Sequence, residues 1–176
     1  MYKRQHLRST PERGPEVLEC AVAGAVRRRE ANVGEIVLVA ASHNPEAVAR
    51  ALLDAPEVGL VYGGGPQRVS VRLAEGIDVD LHTVEPEAFG SALLHQTGSR
   101  GHTLALRRLA LAEGLRLDER GLFRGRERIA GRGEADIYAA LSLPEIPPEQ
   151  RRGRSEIRDA LRRAVAAPAA RRGASG

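Results

Sequence analysis

Cysteine is almost absent from this chain of 176 residues, Cys20 being the single one. One thiol excludes an internal disulfide framework and any zinc site built from cysteines, and it points to a cytoplasmic setting. Lysine is as scarce, with Lys3 alone, so Schiff-base chemistry has almost no residue to run on. There is no Trp and aromatic residues make up 3% of the chain, which argues against a broad stacking platform for single-stranded nucleic acid. The longest apolar run, Ile36 to Ala41, is far too short to cross a bilayer, and the polar N-terminus has no apolar signal region. No membrane partner is therefore expected.

What the chain does contain is enough apolar material, 42% of residues, to bury one domain or one and a fraction. Its net charge of +4 is unevenly placed. From residue 150 onward there are eight arginines against Glu156 and Asp159, a balance of +6, while the rest of the chain carries −2. The basic character sits in the tail, where it could make salt-sensitive phosphate contacts.

Residues 1–14 read as a polar arm. Val17 to Val22 suits a short strand or a helix start, and Glu35 to Ala40, rich in β-branched residues, is a buried strand. Asn44-Pro45-Glu46 supplies an N-cap, a proline at the first helical position and an acid in the first turn, predicting a helix over 45–54. Strands follow at Val58–Tyr62, Arg68–Leu73 and Ile77–Val84, with a turn expected at Gly63-Gly64-Gly65-Pro66. Beyond Val84 helices dominate, at Pro86–Gln96, 100–113, Glu134–Leu141 and from Glu156 to about Ala166, the last capped by Ser155. A short hairpin is expected around Asp118-Glu119-Arg120-Gly121. The fold class is α+β, with a smaller, mainly helical unit after a boundary near 85.

Three segments could carry chemistry. In a strand, Asp78, Asp80 and His82 fall on one face, roughly 6–7 Å apart. Such a face can hold a hard divalent cation if a neighbouring strand adds oxygen, which Glu35 could do; it can equally be a solvated sheet face. Gly24-Ala25-Val26-Arg27-Arg28 is a glycine turn opening a basic helix, suited to phosphate or simply to the surface. Thr97-Gly98-Ser99, followed by Arg100 and Arg107, is a tight connection that could approach a sugar or phosphate, or only cap a helix.

In this order the segments resemble the palm and thumb of family X DNA polymerases, the bacterial members above all. The likeness is densest over Asp80–Leu94 and Thr97–His102, and resumes at Ala105–Arg108, Asp118–Phe123, Glu134–Leu141 and Leu143–Arg151. It implies a nucleotidyltransferase-type palm over 15–85, a mixed or antiparallel sheet with helices on one face. A small, mainly helical thumb with a short hairpin follows over 86–158, then a basic, disordered tail over 159–176. It further implies DNA-directed DNA synthesis in gap or base-excision repair, with Mg2+ or Mn2+ as cofactor and DNA and a deoxynucleotide triphosphate as partners. Carried onto this sequence, Asp80 and Glu35 take metal and catalytic positions; Gly24, Arg28, Gly98 and Ser99 face the nucleotide; Arg107 and Arg100 face DNA. The second metal-aspartate position falls on Val37, which has no ligand atom, and this predicts impaired catalysis. Two other readings fit the same residues: a non-catalytic DNA- or nucleotide-binding remnant, and a nucleotidyltransferase acting on another acceptor.

Overall fold

The computed structural model describes residues 17–167; the expected arm at 1–14 and the end of the chain from 168 lie outside the described residues. The first unit is a five-stranded sheet in the order β1-β2-β5-β4-β3, built from β1 (Glu19–Val22), β2 (Glu35–Ala41), β3 (Val58–Gly65), β4 (Arg68–Leu73) and β5 (Asp78–Val84). Only β2 and β5 run parallel; the other pairs are antiparallel. The sheet is therefore mixed. Between β1 and β2 lies a one-turn helix, α1 (Gly24–Arg27), and between β2 and β3 lies α2 (Pro45–Leu53). The α2 N-cap forms as the sequence dictates: Asn44 Oδ1 accepts from the Ala47 N–H at 3.1 Å, with Pro45 in the first turn.

Alternation along the strands gives the sheet two unlike faces. Ile36, Leu38 and Ala40 of β2 join Val69, Val71, Val79 and Leu81 on one face, where Val48, Ala49 and Leu52 of α2 seal them. Each fully buried aliphatic side chain of this kind is worth about 1.5–3 kcal/mol. The opposite face carries Val37 and Val39 beside the polar residues of β5 and β4. Its β2 end is covered by α1 and by α3 (Phe89–Thr97), which is entered through a 3-10 turn at Pro86–Ala88. The rest of that face is open.

The second unit packs α3, α4 (Arg100–Ala112), α5 (Glu134–Ala140) and α6 (Glu156–Ala166) around a three-stranded sheet, β6 (Arg116–Asp118), β7 (Gly121–Arg124) and β8 (Glu127–Ala130). Leu94, Leu106, Leu122, Ile137, Tyr138, Leu143 and Ile157 are among the large residues of its core. The helix α3 serves both cores, giving Phe89, Ala92 and Leu93 to the first and Leu94 to the second.

Four expectations change. Gly63-Gly64-Gly65 does not turn but continues β3, and the turn falls at Pro66-Gln67; with Gly63 and Gly64 at φ of 139° and 137°, only glycine suits this irregular strand end. The short hairpin has a third strand, β8, reached through a turn at Gly125 and too short to announce itself by alternation. Ser155 does not cap α6. Its hydroxyl donates to Asp159, while the Glu156 carboxylate accepts from the N–H groups of Gly153 (2.6 Å) and Arg154 (2.8 Å). Finally, the helix expected from Glu156 to about Ala166 forms as α6, so it is the overlapping expectation of a disordered tail from 159 that fails over its described start.

Candidate functional site

The open sheet face, α1 and the β6–β7 turn enclose a cleft of about 1330 Å³, lined among others by Gly24, Arg28, Glu35, Val37, Arg68, Asp78, Asp80, His82 and Gln96. The parallel β2–β5 register sets Glu35 against Asp78 and Val37 against Asp80. The antiparallel β4–β5 register sets Arg72 against Asp78, Ser70 against Asp80 and Arg68 against His82. The cleft floor is thus a band of alternating acid and base interrupted by one valine.

Two carboxylates on that floor, Asp80 and Asp78, already have protein partners. Asp80, only 7% exposed, accepts from Arg68 at both oxygens (3.0 and 2.9 Å) and from the Ser70 hydroxyl at 2.7 Å, and His82 Nε2 lies 2.9 Å away. Burial pushes its carboxyl up, but the Arg68 and Ser70 hydrogen bonds outweigh burial and hold it below the usual range. Asp78 is bound twice by Arg72 (2.7 and 2.8 Å) and once by the Tyr62 hydroxyl at 2.9 Å; these bonds, Arg72 first, bring its pKa down to about 2. Val37 is 8% exposed and belongs to the apolar cluster of Val39, Phe89 and Leu93. Gly24, at φ 62°, fits over it: a methyl there would stand 3.2 Å from Val37 Cγ2.

The cation that the resemblance implies can be tested against these donors. Both Asp80 oxygens are engaged by a guanidinium, and the register neighbour of Asp80 is an alkyl group. Among the described residues no group of three or more His, Cys, Asp or Glu side chains is arranged to hold a metal ion. Hard divalent cations need several oxygen ligands in a fixed cage. The residues present do not fit a pair of magnesium ions.

The turn at Thr97-Gly98-Ser99 meets the first unit through two arginines. Arg27 Nη1 donates to Thr97 Oγ1 at 2.9 Å, and Arg28 donates to the Thr97 carbonyl while pairing with Glu30. Ser99 caps α4, accepting from the His102 N–H at 3.4 Å. Gly98, at φ 67°, leaves room for Arg28 Nη1 beside it. Of the eight residues singled out in the sequence, Gly24, Arg28, Glu35 and Asp80 share the cleft; Gly98 and Ser99 stand behind Arg28; Arg100 and Arg107 do not line the cleft. Arg107 Nη2 bonds His95 Nδ1 at 3.0 Å, and its buried Nε has no hydrogen-bond partner.

Sequence reasoning misses two sets of residues. Arg68 and Ser70 clamp Asp80, and the signal was available: a hairpin closing around Ala74-Glu75-Gly76 forces their register against β5. The second set is a buried charge network. Glu134 takes paired hydrogen bonds from Arg27 (both 2.7 Å) and from Arg151 (2.8 and 3.1 Å), and Arg151, 1% exposed, also donates to the Ile146 carbonyl. These partners lie up to 107 positions apart, beyond the reach of pattern reading.

Residues 92–152 match the DNA polymerase beta thumb family. Over 145 residues the chain is 32% identical to the DNA polymerase/3′-5′ exonuclease PolX of Bacillus subtilis, a stretch that covers 80% of this chain and 25% of that protein. The chain thus spans about a quarter of the length of that relative. Two structures of Leishmania infantum polymerase beta share the fold at 19% identity. The ternary gap complex has a TM-score of 0.72, covering 86% of this chain and 68% of the other. The ternary P/T complex has a TM-score of 0.67, covering 85% and 72%. In sequence the chain is similar to a family X DNA polymerase, and it shares the fold of polymerase beta.

Proposed function

We propose that the chain engages DNA as a family X-type palm and thumb but does not transfer nucleotides at an appreciable rate. The observation that carries this reading is the cleft floor: Val37 stands beside Asp80, and Asp80 is saturated by Arg68, Ser70 and His82. A two-cation mechanism needs carboxylates free to bridge the ions, and positioning with charge stabilisation is nearly all that such an enzyme supplies. DNA as partner is supported by the matched thumb and by the gap-bound relative. Within this reading Gly24, Arg28, Gly98 and Ser99 mark where a deoxynucleotide triphosphate would lie, Arg100 and Arg107 face DNA, and Asp80 and Glu35 are remnants of the metal and catalytic set. A role in repair and a cytoplasmic location belong to the same proposal; no helix among the described residues is long and apolar enough to span a membrane.

The test is gap filling on duplex DNA by the purified protein with Mg2+ or Mn2+. The expected result is binding of the gapped duplex without primer extension. Robust extension that Asp80→Ala abolishes would overturn the proposal.

A further inference from the structure

The match to the polymerase beta thumb ends at residue 152, yet the fold continues into α6, whose role that match does not account for. This helix is fastened on one side. Ile157 and Ala160 are buried in the thumb core, with Leu161 packed against it. At its first residue, Glu156 Oε1 meets Nδ1 of the fully buried His102 at 2.9 Å, and His102 Nε2 meets the Tyr138 hydroxyl at 2.8 Å. The helix is thus held in a fixed orientation by packing and by a buried hydrogen-bonded chain.

Its other side is basic. Arg158 and Arg162, one turn apart, are exposed. Just before the helix, Arg152 and Arg154 are exposed on either side of Gly153. That glycine touches Gly101 so closely that a methyl on Gly101 would stand 3.0 Å from Gly153 Cα, which brings the exposed Arg100 of α4 to the same place. None of these five arginines forms an ion pair among the described residues, and both nearby carboxylates are engaged. Glu156 is held by His102 and two backbone N–H groups, and Asp159 accepts from Ser155.

We propose that Arg100, Arg152, Arg154, Arg158 and Arg162 form a second contact surface for the phosphate backbone of duplex DNA, outside the cleft. It rests on the reading above that DNA is the partner. Unpaired guanidiniums on a rigid support are suited to phosphate, which they bind through forked hydrogen bonds with release of counterions. An anionic membrane is the poorer occupant. A helix lying on a bilayer must sink an apolar face into it, and Ile157, Ala160 and Leu161 of α6 are already packed in the thumb, leaving Val165 as its one large exposed apolar side chain.

The experiment is fluorescence anisotropy of labelled duplex DNA across a salt series, with the full chain. Three proteins are compared: wild type; Arg154→Gln/Arg158→Gln/Arg162→Gln; and a charge-matched control, Arg50→Gln/Arg124→Gln/Arg126→Gln, whose sites are exposed elsewhere. Each lost phosphate contact removes about one unit from the slope of log affinity against log salt. The strip variant is expected to lose about three units and roughly tenfold or more in affinity at low salt, with an unchanged circular dichroism spectrum. The control is expected to keep most of the wild-type slope. Equal losses in both variants, or a wild-type slope in a folded strip variant, would overturn the strip alone. No wild-type binding at any salt would overturn the DNA reading along with it, as would binding to phosphatidylserine vesicles but not to DNA.

Discussion

Val37 stands on the cleft floor inside an apolar cluster, and this makes it a demanding place to introduce a carboxylate. Val37→Asp buries an acid beside Val39, Phe89 and Leu93, and the expected loss is about 1–3 kcal/mol of stability by urea titration. Millimolar Mn2+ should not raise the melting temperature of this variant, because Arg68 still occupies Asp80; Val37→Asp/Arg68→Ala should show a Mn2+-dependent rise. A second residue-scale expectation concerns His102. Burial, opposed by the Glu156 hydrogen bond, holds its pKa below the ordinary value of about 6.5. The unfolded chain therefore takes up that proton first, so the stability due to neutral His102 is full above about pH 6.5 and is lost as pH falls towards the folded value. Melting temperatures should fall between pH 7.5 and 5.5, and by less in His102→Gln. The difference between the two proteins is the readout, since burial lowers His95 as well. At this scale strand alternation places Asp78, Asp80 and His82 on one face, and the β2–β5 register brings Glu35 and Val37 beside them in the cleft. Alternation could not name what grips Asp80, because a side chain on the polar face shows its partner only once the strand register is known.

Among the elements, α3 carries the join between the units. Its Gly90 and Ser91 N–H groups bond the carbonyls of Arg132 (3.0 Å) and Gly131 (2.9 Å), and a methyl on Gly90 would collide with the Gly133 backbone. Gly90→Ala is expected to cost more than 2 kcal/mol in denaturant melts despite the better helix propensity of alanine. The Arg27–Glu134–Arg151 network acts across the same join. Glu134→Gln leaves two guanidiniums with one neutral acceptor group, and the expected loss is about 3–5 kcal/mol at pH 7. Burial pushes Glu134 up, but Arg27 and Arg151 pull it net below its ordinary value near 4.3. Its contribution is therefore present above that pH and is lost on acidification, so the wild type should approach the variant in acid. Most elements were legible because their signals are local: the Asn44 cap, the β-branched run of β2, the alternation in β4 and β5. The strand β8 and the true turn after β3 were not, since a four-residue strand has too few alternations and three glycines mimic a turn.

For the molecule as a whole, the sheet face balances its own charge. Arg68 and Arg72 stand where a resident cation would otherwise neutralise Asp80 and Asp78. DNA affinity measured by anisotropy is accordingly expected to be the same with and without a chelator, and a fall of more than a few-fold on adding EDTA would contradict this. The clamp on Asp80 also couples two positions on the cleft floor. Building an ion cage there demands an acid at 37 and the release of residue 80 by its arginine. An acid at 37 alone enters an apolar cluster, and loss of Arg68 alone leaves Asp80 held by Ser70 and His82. The two positions are therefore linked, so an ion would be admitted only when both change together.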